Sequence, residues 1–128
     1  MLYQLINLDE SIKHNDMNIK TVYNVMGNIK PYTQREFNCH ETLMVLTQNQ
    51  NVWGSWGVNP RTICGLEKKC LVFKPNGRYF KDFVCVTLGW DDVYQVHFMD
   101  STYKVVKSIE GVYFDMLVDV IDGYIETR

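Results

Sequence analysis

One cysteine and one histidine could together form a catalytic pair in this 128-residue chain. The segments DFVCVTLG (82–89) and VYQVHFM (93–99) are predicted strands, and in a hairpin Cys85 would stand near His97 as a thiolate–imidazole pair. Cys85 lies in the most apolar run of the sequence, where burial raises the pKa of a thiol and makes it inert. We therefore expect a packed cysteine and a protein that is not an enzyme.

The spacing of the other candidate ligands disfavours metal and cofactor sites. None of the four cysteines stands in a C-x2-C pair, and Cys39 is adjacent to His40, where two side chains rarely converge on one ion. Asp91 and Asp92 are neighbours in a turn, which is typical of solvated carboxylates. We expect no metal, no cofactor and reduced thiols, with two disulfides as the alternative. The thiols are Cys39, Cys64, Cys70 and Cys85.

A basic and aromatic segment spans residues 61–81. Basic side chains can neutralise phosphates and aromatic rings can stack on bases, so this segment could contact nucleic acid. A solvated hairpin with lysines at its edges gives the same pattern, and the net charge of −2 is not that of a strongly basic binder. Its basic residues are Arg61, Lys68, Lys69, Lys74, Arg78 and Lys81, with Tyr79 among the interleaved aromatic residues.

The stretch NVWGSWGVNP places Trp53 and Trp56 three residues apart, each followed by glycine. Because glycine disfavours a helix, we predict a strand over 52–58. Positions three apart in a strand point to opposite faces. One ring, assigned to Trp53, would then lie in the core, while Trp56 would face outward, be covered by the N-terminal segment or lie in an interface. Both rings would be packed if both faces of the sheet are covered; otherwise one of them lines a functional surface. A shift of one residue in register would exchange their roles.

Helices and strands that could position these residues follow from periodicity and turn signals. IKTVYNVMGNI (19–29) has helical spacing, and Thr33 with Glu36 forms a capping-box pattern ahead of a second helix ending near residue 47. A third, amphipathic helix with an acidic outer face is predicted over 110–126. The predicted strands are 2–8, 52–58, 69–74, 82–89, 93–99 and 102–108.

Strands between helices, joined by short connections, indicate a single α+β domain. We predict a four- to five-stranded, mainly antiparallel sheet with two or three helices packed on one face. Residues 1–32 form an N-terminal extension and residues 33–128 the core domain. No segment is apolar enough to span a membrane, and the N-terminus has no basic start followed by an apolar run, so we expect a cytoplasmic protein.

The chain resembles a family of small proteins from phages and other mobile elements over roughly residues 41–122, and four short segments show the likeness. They are LVFK (71–74), VCVTL (84–88), DVYQVHF (92–98) and VYFDML (112–117). The chain departs from the family pattern at WGSWGVN, where tryptophans replace small residues, and in its long N-terminal segment. The resemblance implies a mobile-element origin and a small α+β fold, and it transfers no catalytic residue.

The combined expectation is a non-enzymatic binding protein of a phage or other mobile element, acting in a bacterial host on a host protein. The alternative is a small nucleic-acid-binding protein that uses the 61–81 segment. The sequence leaves open whether the protein forms a homodimer. The candidate partner-binding residues are Trp53, Trp56, Arg61, Lys74, Arg78, Tyr79 and Lys81.

Overall fold

The computed structural model describes residues 6–7 and 19–127 of the chain. This part forms an α+β domain with a mainly antiparallel sheet, which confirms the predicted class. Its helices are α1 Ile19–Ile29, α2 Cys39–Thr47, α3 Gln50–Ser55 and α4 Leu117–Glu126. Its strands are β1 Ile6–Asn7, β2 Cys64–Leu66, β3 Cys70–Phe73, β4 Val84–Leu88, β5 Tyr94–Met99 and β6 Val105–Val112.

The described sheet follows chain order from β1 to β6, so strands adjacent in sequence are adjacent in space. Each pair is antiparallel except β1 with β2, which is parallel. The predicted strands 69–74, 82–89 and 93–99 are confirmed as β3, β4 and β5. The short β2 has no predicted counterpart, and most of the strand predicted over 2–8 lies outside the described residues.

Three helices cover one face of the sheet. The buried side chains of α2 and α4 include Leu43, Leu46, Leu117 and Ile121, and they belong to the same core cluster as the inward side chains of the sheet. Those sheet residues alternate along each strand, as expected for one covered face. They are Leu71, Phe73, Val84, Val86, Val96 and Phe98.

A fourth helix, α1, covers the opposite face. Val22, Val25 and Ile29 are buried there in a second core cluster with sheet residues such as Cys64 and Val72. The helix predicted over 19–29 is therefore confirmed, and the described part of the segment 1–32 packs against the sheet. Both faces of β3 and β4 are covered, which explains why the sequences of these two strands are almost entirely apolar.

Helix α2 begins at Cys39 rather than near Thr33. Its N-cap is Asn38, whose side chain accepts a hydrogen bond from the backbone N–H of Glu41 at 3.1 Å. Thr33 instead closes the 3₁₀ turn Lys30–Tyr32, because its hydroxyl donates to the carbonyl of Lys30. The predicted capping box was therefore assigned to the wrong turn.

The C-terminal helix begins later than predicted. Residues 110–112 continue β6, because Ile109 pairs with Val96 and the buried Val112 pairs with Tyr94. A 3₁₀ turn, Phe114–Met116, then leads into α4. Tyr113, which falls within the range predicted for the helix, lies outside it and is exposed.

Candidate functional site

The buried polar cluster around His97 is a structural network. Cys85 and His97 are register partners on β4 and β5, as the predicted hairpin requires. The two ring nitrogens of His97 instead form hydrogen bonds with hydroxyl groups. Nε2 lies 2.9 Å from Thr87 Oγ1, and Nδ1 lies 2.8 Å from Ser108 Oγ. Because the Thr87 hydroxyl donates to Gln95 Oε1, Nε2 must carry the hydrogen and donate to Thr87. Burial lowers the pKa of His97 to about 4, so the ring is neutral near pH 7.

The four cysteines are free and buried in the structure. Burial, and secondarily the charge of nearby Cys64, raises the pKa of Cys39 to about 12. Burial, followed by the neighbouring thiol of Cys85, raises the pKa of Cys70 well above its usual value. A thiol with a raised pKa is a poor nucleophile. Among the described residues, no group of three or more potential ligands could hold a metal ion.

Trp53 and Trp56 lie in the core together, which contradicts the predicted strand over 52–58. Trp53 belongs to α3 and Trp56 is the C-cap residue of that helix, and their side chains are only 4% and 0% exposed. The ring centroids are 5.5 Å apart, and the Trp56 ring stacks on Phe73 at 6.2 Å. The indole N–H of Trp56 donates to Asp122 of α4 at 2.9 Å. Neither ring therefore forms an exposed surface, and the expected difference between their environments is wrong.

The basic segment is divided between the two ends of the sheet. Phe73 pairs with Val84, so the loop 74–83 lies at one end, whereas the turn carrying Lys68 and Lys69 lies at the other. The exposed Lys74 ammonium lies 5.5 Å from the Phe83 ring centroid, and the Arg78 guanidinium lies 5.4 Å from that of Tyr79. The exposed residues at the loop end are Arg61, Lys74, Arg78, Tyr79 and Lys81.

The turn between β4 and β5 presents Trp90, a residue not selected from the sequence. The turn closes through its backbone: Gly89 N–H donates to Val93 at 2.9 Å, and Asp92 N–H donates to Gly89 at 3.0 Å. The Asp91 carboxylate also accepts from Val93 N–H. None of these bonds uses the indole, and the Trp90 side chain is 75% exposed.

The segment before α2 braces this turn from one side. The backbone N–H of Trp90 donates to the Gln34 side chain, and Arg35 N–H donates to the carbonyl of Leu88. The Arg35 guanidinium also forms an ion pair with Asp92. The backbone that carries the exposed indole is therefore fixed, which lowers the entropy cost of contacts made by the ring.

Two more exposed aromatic residues follow β6 at the same end of the sheet. Because Val112 pairs with Tyr94, the chain leaves β6 beside the start of β5, close to the turn of Trp90. Tyr113 is 59% exposed and Phe114 is 61% exposed. We call Trp90, Tyr113 and Phe114 the Trp90 surface.

Two open depressions adjoin the Trp90 surface, and each is lined by one member of the Arg35–Asp92 ion pair. The first, of about 430 Å³, includes Glu41, Asp92, Tyr113 and Phe114 in its lining. The second, of about 340 Å³, has Arg35 and Trp90 among its lining residues. This end of the sheet therefore presents several exposed aromatic side chains, a residue class that is enriched in protein-binding surfaces.

One signal in the sequence could have identified Trp90. The residue stands in GWDD (89–92), a turn in which the other three residues are a glycine and two aspartates. A turn of this kind does not require a large aromatic side chain, so a tryptophan in it indicates a role other than folding. Tyr113 and Phe114 were not identified from the sequence as exposed residues, because the apolar pattern placed them inside the predicted helix.

Comparison with known proteins assigns no relative. No family model matches this chain, and neither a curated protein nor a solved structure matches it. In the part of the chain that the structure describes, the helices are too short or too polar to cross a membrane.

Proposed function

We propose that this chain is a non-enzymatic binding protein of a phage or other mobile element, which binds a protein of its bacterial host through the Trp90 surface. The observation that supports this proposal is the exposure of Trp90, at 75%, beside two other exposed aromatic residues. Tryptophan and tyrosine are enriched among the residues that contribute most to binding. The mobile-element origin rests on the resemblance of the four sequence segments.

The energetics favour an interface at this position. Covering an indole that is mostly exposed would remove roughly 150 Å² of apolar surface, worth on the order of 3–4 kcal/mol before the costs of association. The turn is held by its own backbone bonds and by Gln34 and Arg35, so the ring is not needed for folding. The Trp90 side chain contributes little to the stability of the fold but could contribute several kcal/mol to the binding of a partner, so we attribute its presence to binding.

The test is affinity isolation from a bacterial lysate with tagged wild-type protein and two variants. Trp90→Ala should reduce recovery of the captured protein roughly tenfold or more, since aromatic hot spots contribute about 2 kcal/mol or more. The control is Tyr23→Ala, which removes another exposed aromatic side chain (54%). Tyr23 belongs to α1, which covers the face of the sheet opposite to α2, α3 and α4. Equal recovery by wild type and Trp90→Ala would contradict the proposal.

Nucleic acid is the second candidate partner, and one observation favours it. Arg78 and Tyr79 form an exposed cation–π pair at the loop end of the sheet, an arrangement on which a base could stack. Nuclease treatment of the lysate distinguishes the two proposals. A captured protein that survives nuclease supports the Trp90 surface, whereas nucleic acid that co-purifies and is lost in Tyr79→Ala supports the loop end.

A further inference from the structure

We infer that the Trp90 surface engages its protein partner by taking the guanidinium group of a partner arginine into the neighbouring cavity of about 430 Å³. We call this cavity the Glu41 pocket. The inference rests on the proposed function, because it names the chemistry by which the same surface would recognise its partner.

Aromatic residues line the Glu41 pocket, and one of them, Tyr94, is held in place by its neighbours. Tyr94, Tyr113 and Phe114 are among the lining residues. The Tyr94 hydroxyl lies 3.1 Å from Thr42 Oγ1, and its ring meets Phe37 edge-on at 6.0 Å, so this ring is held from two sides. A pocket that is formed before binding loses little conformational entropy when it is filled.

The charge of the lining is acidic. Glu41 and Asp92 both line the pocket, and no basic side chain belongs to the lining formed by the described residues. Asp92 is already paired with Arg35 at the rim. Glu41 is exposed in the first turn of α2, and no salt bridge to it occurs in the described part of the chain. The carboxylate of Glu41 is therefore the acidic group that can receive a cation from a partner.

Carboxylates combined with aromatic walls select a planar cation. A guanidinium group can stack on aromatic faces and at the same time donate two parallel hydrogen bonds to one carboxylate. An ammonium group is more strongly hydrated and has no planar face. Because Asp92 is neutralised by Arg35, the net negative charge of the lining comes from Glu41.

The test uses two capped tripeptides as probes, Gly-Arg-Gly and its neutral analogue Gly-citrulline-Gly. Each is titrated into isotopically labelled protein, and the aromatic resonances of Tyr94, Tyr113 and Phe114 are followed by NMR. The arginine peptide should shift these resonances and bind at least fivefold more tightly than the citrulline peptide. Added salt should weaken the arginine peptide selectively, because it screens the charge interaction.

Two glutamate variants assign the effect to the pocket. Glu41→Gln should weaken the arginine peptide at least threefold and leave the citrulline peptide unchanged. Glu110→Gln, which removes an exposed glutamate of β6 that does not line the pocket, should leave both peptides unchanged. The amide spectrum of each variant reports whether it is folded.

Each outcome bears separately on the inference and on the proposed function. Equal binding of the two peptides, or no shift of the pocket resonances by either peptide, overturns the arginine assignment while the lysate experiment still decides the function. Selective binding of the arginine peptide that is lost in Glu41→Gln supports the inference, even if the Trp90→Ala variant captures as much protein as the wild type.

Discussion

At the scale of single residues, the two tryptophans show how a local signal can be assigned to the wrong role. The glycines after Trp53 and Trp56 disfavour a helix interior, but in the structure they lie near the end of a short helix. Gly57 follows the C-cap residue with φ of +60°, the left-handed conformation that commonly terminates helices. Asn49 begins the helix by accepting hydrogen bonds from two backbone N–H groups. Helical spacing then places both rings in one core.

Removal of either buried tryptophan should severely destabilise the fold. Trp53→Ala and Trp56→Ala should each lower the free energy of unfolding by about 3–5 kcal/mol, because each leaves a large cavity beside Phe73. Trp90→Ala should change it by no more than about 0.5 kcal/mol, as for other exposed positions. Chemical denaturation of the three variants measures this difference. A cost for either buried ring as small as that for Trp90 would contradict the described core.

The buried imidazole predicts a dependence of stability on pH. The pKa of His97 is lowered to about 4 from an ordinary value of 6.5, so the unfolded chain binds a proton that the folded chain excludes between these values. The free energy of unfolding should therefore fall as the pH decreases from 6.5 towards 4, by up to roughly 3 kcal/mol from this group.

Urea denaturation at several pH values between 7 and 4.5 measures the effect, with two variants for comparison. His97→Gln should flatten the slope, because it removes the titrating ring from its polar network. His40→Gln replaces an exposed histidine outside that network and should retain the slope. A slope that persists unchanged in His97→Gln would assign the pH dependence to other groups.

At the scale of secondary structure, most elements with a clear apolar period could be predicted, whereas the segment 52–58 and the starts of α2 and α4 could not. Helix α1 matches the predicted range 19–29, and three strands agree to within two residues at each end, because apolar periodicity reports which side chains are buried. The start of α2 was misplaced because Thr33 and Asn38 both offer a capping pattern. The start of α4 was misplaced because pairing of Val112 with Tyr94 extends β6 into a segment with helical periodicity.

The contact between the loop 74–83 and the end of α4 can be tested with two glycines. A methyl group on Gly77 would overlap the side chain of Ile125, and Tyr79 N–H donates to the carbonyl of Ile125 at 2.8 Å. Gly77→Ala should therefore destabilise the fold by about 1–3 kcal/mol. Thermal or chemical unfolding measures the change.

Gly123 provides the matched control within α4. Apart from its chain neighbours and the backbone of its own helix, no heavy atom lies within 4 Å of the position that its Cβ would occupy. Gly123→Ala should stabilise the fold by roughly 0.5–1 kcal/mol, since alanine favours the helix more than glycine does. Stabilisation by both substitutions would show that the loop does not pack against α4 as described.

At the scale of the whole molecule, the candidate surface depends on contacts between distant segments. Trp90 and Tyr113 are brought to one end of the sheet by the pairing of β5 with β6, and Arg35 reaches that end from the segment before α2. Local sequence patterns do not encode which loops share an end of a sheet. The basic and aromatic residues selected from the sequence lie within one segment of the chain but are divided between the two ends of the sheet. Those at the end remote from Trp90 are Arg61, Lys74, Arg78, Tyr79 and Lys81.

Photo-cross-linking in bacterial cells tests the central proposal most directly. A benzophenone amino acid replaces Trp90 in one variant and Tyr23 in another, so that both probes occupy exposed aromatic positions on different parts of the molecule. We predict a discrete, light-dependent protein adduct from position 90 that is absent from position 23 and weakened by Phe114→Ala. Equal incorporation of the probe with no adduct from position 90, or the same adducts from both positions, would contradict the assignment of the Trp90 surface as a protein-binding site.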